Sequence, residues 1–184
     1  MVERRKGGET GVAAVQAVSG EQVEAARKQG RWSAELLKSI AAVTPAAGKN
    51  RPRELGSKAV LYLIEYRDGL QAAVAMQTGV ANQFAFAGRL GGEDRPRATW
   101  FQLEEDKPFG HFAYLLKAIE HMVHSGKPAY PFERTLLTTG MLDALLHSHA
   151  DGGKRIETPH LAIRYQAVDW PFAPGTPATP KKAS

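Results

Sequence analysis

The side chains able to do chemistry in this 184-residue chain are six histidines and a scatter of carboxylates and cations. There is no cysteine, which excludes thiolate catalysis, disulfides and cysteine-ligated zinc. His121 and His124 stand three apart, which on a helix gives them neighbouring positions from which to share a metal. Glu120 completes no His-Glu-x-x-His pattern with them and no third ligand lies nearby, so a polar helix face explains the pair and no metal site is expected. His147 and His149, two apart, point to different faces, where the carbonyl end of a helix favours positive charge. His111 follows Asp106-Lys107-Pro108, readable either as an acid–base cluster facing a cleft or as a loop before a helix. Serine, histidine and aspartate all occur, without a Gly-x-Ser-x-Gly elbow. Gly7-Gly8-Glu9-Thr10-Gly11 follows Arg4-Arg5-Lys6, so backbone amides and cations together have the means to hold a phosphate or carboxylate. It precedes a strand instead of leading from a strand into a helix, the wrong order for a dinucleotide fingerprint or a P-loop; a flexible turn is the alternative.

The elements that must position these residues follow from periodicity. Residues 12–18 (VAAVQAV) are a short β-capable run ended by Ser19-Gly20. Ser33 is a good N-cap for a helix over 34–43, where Leu36, Leu37 and Ile40 recur at helical spacing before Thr44-Pro45. Residues 59–66 and 70–77, joined by Arg67-Asp68-Gly69, read as a β-hairpin, and residues 82–90 and 98–103 as two further strands about a turn-rich Gly91-Gly92 segment. Residues 109–125 place Phe112, Leu115, Leu116, Ile119 and Val123 at spacings of three and four and close on Gly126. A second helix runs over 132–149 behind Pro131 and closes at Asp151-Gly152-Gly153, and residues 154–165 return as a strand. The expected fold is α+β: a mostly antiparallel, mixed sheet of about five or six strands with helices packed on one face. Residues 1–11 form a charged, glycine-rich lead-in, 12–168 the sheet-forming domain, and 169–184 a proline-rich tail too poor in apolar residues to build a core.

The formal charge of +5 is unevenly placed, with 11 Lys/Arg against 6 Asp/Glu in residues 1–58 and 13 of each in residues 59–184. Its three clusters, around Arg5, Arg27 and Arg51, are not interleaved with aromatics and accompany no helix-turn-helix, RNP or zinc-finger spacing, so nucleic acid is not an expected partner. No apolar run approaches a membrane span and the N-terminus lacks a signal-peptide core, so a soluble, cytoplasmic protein is expected.

Several segments, in order, resemble one enzyme family. Residues 63–72 (LIEYRDGLQA) are similar to a family hairpin of the form l.f.dG..a. Ala118-Ile119 to Gly126-Lys127-Pro128 is similar to a helix ending ai..G.pp, and Ala144-Leu145-Leu146-His147-Ser148 to Gly152-Gly153 to a helix ending al..S...G, followed by the strand at Arg155-Ile156. The chain thus resembles the C-terminal domain of the Gfo/Idh/MocA oxidoreductases, the family of glucose-fructose oxidoreductase and inositol dehydrogenase. Residues 12–18 match the strand that opens that domain. The resemblance implies hydride transfer between NAD or NADP and a sugar-like or polyol substrate in a complete enzyme. It implies one wall of the substrate cleft from this half, and homo-oligomers formed through the open sheet face. The family's Rossmann domain, Glu-Lys-Pro segment and catalytic histidine helix have no counterpart here, and Asp106-Lys107-Pro108 falls too late to be the Lys-Pro segment. The chain is therefore expected to be an N-terminally truncated form, catalytically incomplete, with no catalytic, metal or cofactor-binding residue of its own. Arg5, Lys6, Glu9 and His111 are the expected substrate-cleft residues. A stand-alone, non-enzymatic binding or assembly module is the alternative.

Overall fold

The structure, a computed structural model, describes residues 7–44, 55–77, 84–101, 103, 110–168 and 170. Its centre is β1 (Val12–Ser19), a run of small and β-branched residues buried on both faces, as a strand in the middle of a sheet must be. β1 pairs antiparallel with β2 (Val60–Tyr66), which pairs with β3 (Gln71–Met76); on its other side β1 pairs with β6 (Ile156–Glu157). The β2–β3 hairpin forms where expected. Gly69 takes a φ of 87°, the Tyr66 amide donates to the Leu70 carbonyl at 2.9 Å, and the Asp68 carboxylate accepts from the Leu70 amide at 3.2 Å.

The two faces of this sheet build two cores. On one, Val15, Ile64 and Tyr66 pack against Leu137, Met141 and Leu145 of α4 (Phe132–Ala150). On the other, Val18, Leu61 and Leu63 pack with Ala26 of α1 (Glu21–Lys28), flanked by Trp32, whose indole N–H donates to the Val23 carbonyl at 2.8 Å. A separate two-stranded ribbon, β4 (Phe84–Gly88) with β5 (Arg97–Phe101), packs on α2 (Ala34–Val43). Ser33 caps α2 as expected, its hydroxyl accepting from the Leu36 amide at 3.3 Å. α3 (His111–Ser125) ends on Gly126 in the left-handed region.

The α+β expectation holds. In detail, six strands among the described residues divide into sheets of four and two, and helices cover both faces of the larger one rather than one face. Residues 154–165 are not one strand: pairing stops after Glu157, Pro159 opens a single 3₁₀ turn (Pro159–Leu161), and only Tyr165 bridges again, to Glu9. Proline has no amide to continue a ladder and favours the first turn of a helix, which accounts for the break. No helix among the described residues is long and apolar enough to cross a membrane.

Candidate functional site

Two polar constellations lie at the Val12 end of the sheet. In the first, Glu65 of β2 and Glu157 of β6 both stand opposite Ala14 of β1, which puts them on the same face, one strand apart. Arg31, delivered by the turn after α1, donates to Gln16 at 2.6 Å and to Glu65 at 3.0 Å. Arg155 donates to the other Glu65 oxygen at 2.5 Å and pairs with Glu157. The Arg155 hydrogen bond, reinforced by the nearby positive charge of both arginines, holds the Glu65 carboxyl below its ordinary range; the same two carboxylates raise Arg155 further. Arg31 and Glu65 are half-buried, while Arg155 and Glu157 reach solvent. Donors and acceptors fixed side by side on a rigid sheet can hydrogen-bond a hydroxyl-rich molecule at that open edge. With two arginines offset by two glutamates, the array offers no surplus charge for an anion.

The second constellation is the lead-in. Glu9 is only 2% exposed, and one of its carboxylate oxygens accepts from the amides of Thr10 at 2.8 Å and Gly11 at 2.9 Å. Two of the backbone amides in the segment that could hold a phosphate or carboxylate thus hold the chain's own carboxylate. Two of its glycines are closely packed: a Cβ on Gly11 would collide with the Leu161 carbonyl and lie 2.7 Å from the Ile163 nitrogen, and one on Gly8 would meet the Gln166 side chain. Of the four expected cleft residues, Glu9 is therefore engaged with its own backbone. Arg5 and Lys6 lie outside the described residues, as does Asp106-Lys107-Pro108. His111 stands half-buried in the first turn of α3 with its ring 4.4 Å from that of Phe112. His121 meets the Trp170 ring at 4.8 Å, His147 lies 3.7 Å from Asp143, and no group of three metal-competent side chains occurs among the described residues.

The residues that carried the sequence resemblance have a visible local task. Ser148, fully buried near the end of α4, accepts from the Ala17 amide at 2.9 Å and donates to the Lys154 carbonyl at 2.6 Å, filling the edge of β1 that β6 is too short to cover. Gly153 (φ 89°) follows, and a Cβ there would sit 2.9 Å from the Ala17 carbonyl. Thr158 finishes the join, its hydroxyl donating to the Val12 carbonyl at 3.0 Å and its amide to that of Ala13 at 2.8 Å.

Among the described residues, a dinucleotide does not fit the turn that leads from a strand of the main sheet into a helix, β1 to α1. That turn carries a single glycine, Gly20, and the first helical turn opens with Glu21, which repels a pyrophosphate. No protein-family model, no curated protein and no solved structure matches this chain.

The Arg31–Glu65–Arg155–Glu157 array is not legible in the sequence because Arg31, Glu65 and the Arg155–Glu157 pair are far apart in the chain and meet only through strand register and the turn after α1. The one local signal is Glu65 itself, a carboxylate inside the apolar run VLYLIEY.

Proposed function

We propose that this chain is the substrate-cleft and oligomerisation domain of a nicotinamide-dependent oxidoreductase acting on a sugar or polyol, and that it turns over only with a separately folded dinucleotide-binding unit. The observation that carries the reading is α4. One side of this helix packs on the sheet; Phe132, Leu136, Leu142 and Leu146, 50–68% exposed, lie outside that contact. A helix apolar on opposite sides belongs between two layers, and the described residues supply only one. The resemblance in residue pattern gives the class of the missing layer. NAD or NADP binds there, the substrate is a small molecule, and the cell compartment is the cytoplasm. The solvent-reaching part of the array, Arg155 and Glu157, joins His111 as a candidate contact for substrate hydroxyls. Association of copies runs through the sheet surface left open, where Phe84, Phe86 and Phe101 line the outer face of the β4–β5 ribbon and Phe84 pairs directly with Phe101.

The test is a titration of the purified chain with NADH and NADPH followed by nicotinamide fluorescence, with light scattering on the same sample. The expected result is no binding and a dimer or larger species; micromolar binding, or a monodisperse monomer, overturns the reading. Supplying the dinucleotide-binding domain of a Gfo/Idh/MocA enzyme in trans is expected to give NAD(P)-dependent polyol oxidation. A stand-alone assembly module, the reading that the aromatic face of the ribbon would equally serve, gives none.

A further inference from the structure

α3 packs on little of the described fold, so that its polar residues Lys117, Glu120, His121 and His124 and its apolar stripe are both exposed. His111, Tyr114 and Ala118 are its half-buried positions, whereas Phe112, Leu115, Leu116, Ile119, Met122 and Val123 point outward at 43–71% exposure. No side chain of this fifteen-residue helix is buried. The outward residues repeat at intervals of three and four over two heptads, the a, d and e positions of a coiled-coil seam. The edge of the stripe carries His111, Ala118 and Ser125 on one side, and the charged Lys117 lies off the seam, so a second identical stripe meets no carboxylate, lysine or arginine there.

We propose that α3 is a self-association surface whose occupant is α3 of a second copy, packed antiparallel about a two-fold axis near Lys117. In that register Phe112 faces the partner's Met122 and Leu115 faces the partner's Ile119, so each layer pairs an a with a d position. Phenylalanine against methionine is a favourable contact, and the helix dipoles oppose. At roughly 150–200 Å² for a large apolar side chain, the six leave on the order of 600 Å² outward per chain. Two copies together have at most about 1,200 Å² of this surface to bury, the lower edge of what a specific interface needs. The surface is separate from the open sheet face and from the outer side of α4, and it does not depend on the nicotinamide reading.

The experiment compares the full chain with a Leu115→Glu, Ile119→Glu double variant by light scattering over a concentration series. Charging two seam positions is expected to weaken this association roughly 100-fold or more, halving the mass at a given concentration. Far-UV circular dichroism stays unchanged, because neither side chain is buried in its own chain. Since the protein has no cysteine, Leu115→Cys chains mixed with Ile119→Cys chains report the register directly: a disulfide forms in the mixture and not in either variant alone. An unchanged mass for the double variant overturns the interface. Cross-linking of each single-cysteine variant with itself overturns the antiparallel arrangement, and absence of any cross-link in the mixture overturns both.

Discussion

Ser148 shows how much one hydroxyl can decide. It serves a strand amide and a loop carbonyl at once inside a fully buried site. Replacement by alanine leaves both without their partner, and Ser148→Ala is expected to destabilise the fold by about 1–3 kcal/mol in urea denaturation. Glu65 makes a different contribution. Its carboxyl is held below its ordinary value of 4.5, chiefly by Arg155, so its stabilising effect is present above that value and lost as pH falls through and below it. Because Arg155 and Glu157 reach solvent, the effect is on the order of 1 kcal/mol or less. Denaturation midpoints taken from neutral pH downward should fall less steeply below 4.5 for Glu65→Gln than for the native chain. If the two profiles run parallel, the array contributes nothing.

At the scale of elements, the two faces of α4 can be compared directly. Leu137 is fully buried against the sheet, and Leu137→Ala should cost about 2–5 kcal/mol. Leu142→Ala, on the outer side, should stay within about 0.5 kcal/mol when unfolding is followed on the isolated chain. Equal losses at both sites would mean that a layer already covers the outer side. Most elements were legible in the sequence because their signals are local: Ser33 for α2, Arg67-Asp68-Gly69 for the hairpin, Gly126 for the end of α3. α1 was missed, since only Val23 and two alanines relieve the charge in its eight residues, and it is held by the sheet through Ala26 more than by its own pattern. The break after Glu157 was signalled by Pro159 and outweighed by the apolar residues around it. The polar array was not legible, because register across three strands is a tertiary property.

Among the described residues, large apolar side chains stand exposed on the ribbon, on α3 and on the outer side of α4. Association driven by such surfaces is expected to persist or strengthen as salt is raised, whereas binding through the basic residues of the first third would weaken steeply. Light scattering across a salt series separates the two. The position of β1 has a further effect, on how the chain acquires its shape. The central strand is made among the first twenty residues, yet the groups that secure its second edge, Ser148, Gly153 and Thr158, lie 131 to 146 residues further along. Closing so long a loop comes before any reward from the contacts it makes, so the second edge of β1 cannot be secured during synthesis until Thr158 has left the ribosome. Until then the apolar run of β1 is held on one side only, and that interval is when the nascent chain is most exposed to aggregation and most dependent on chaperones.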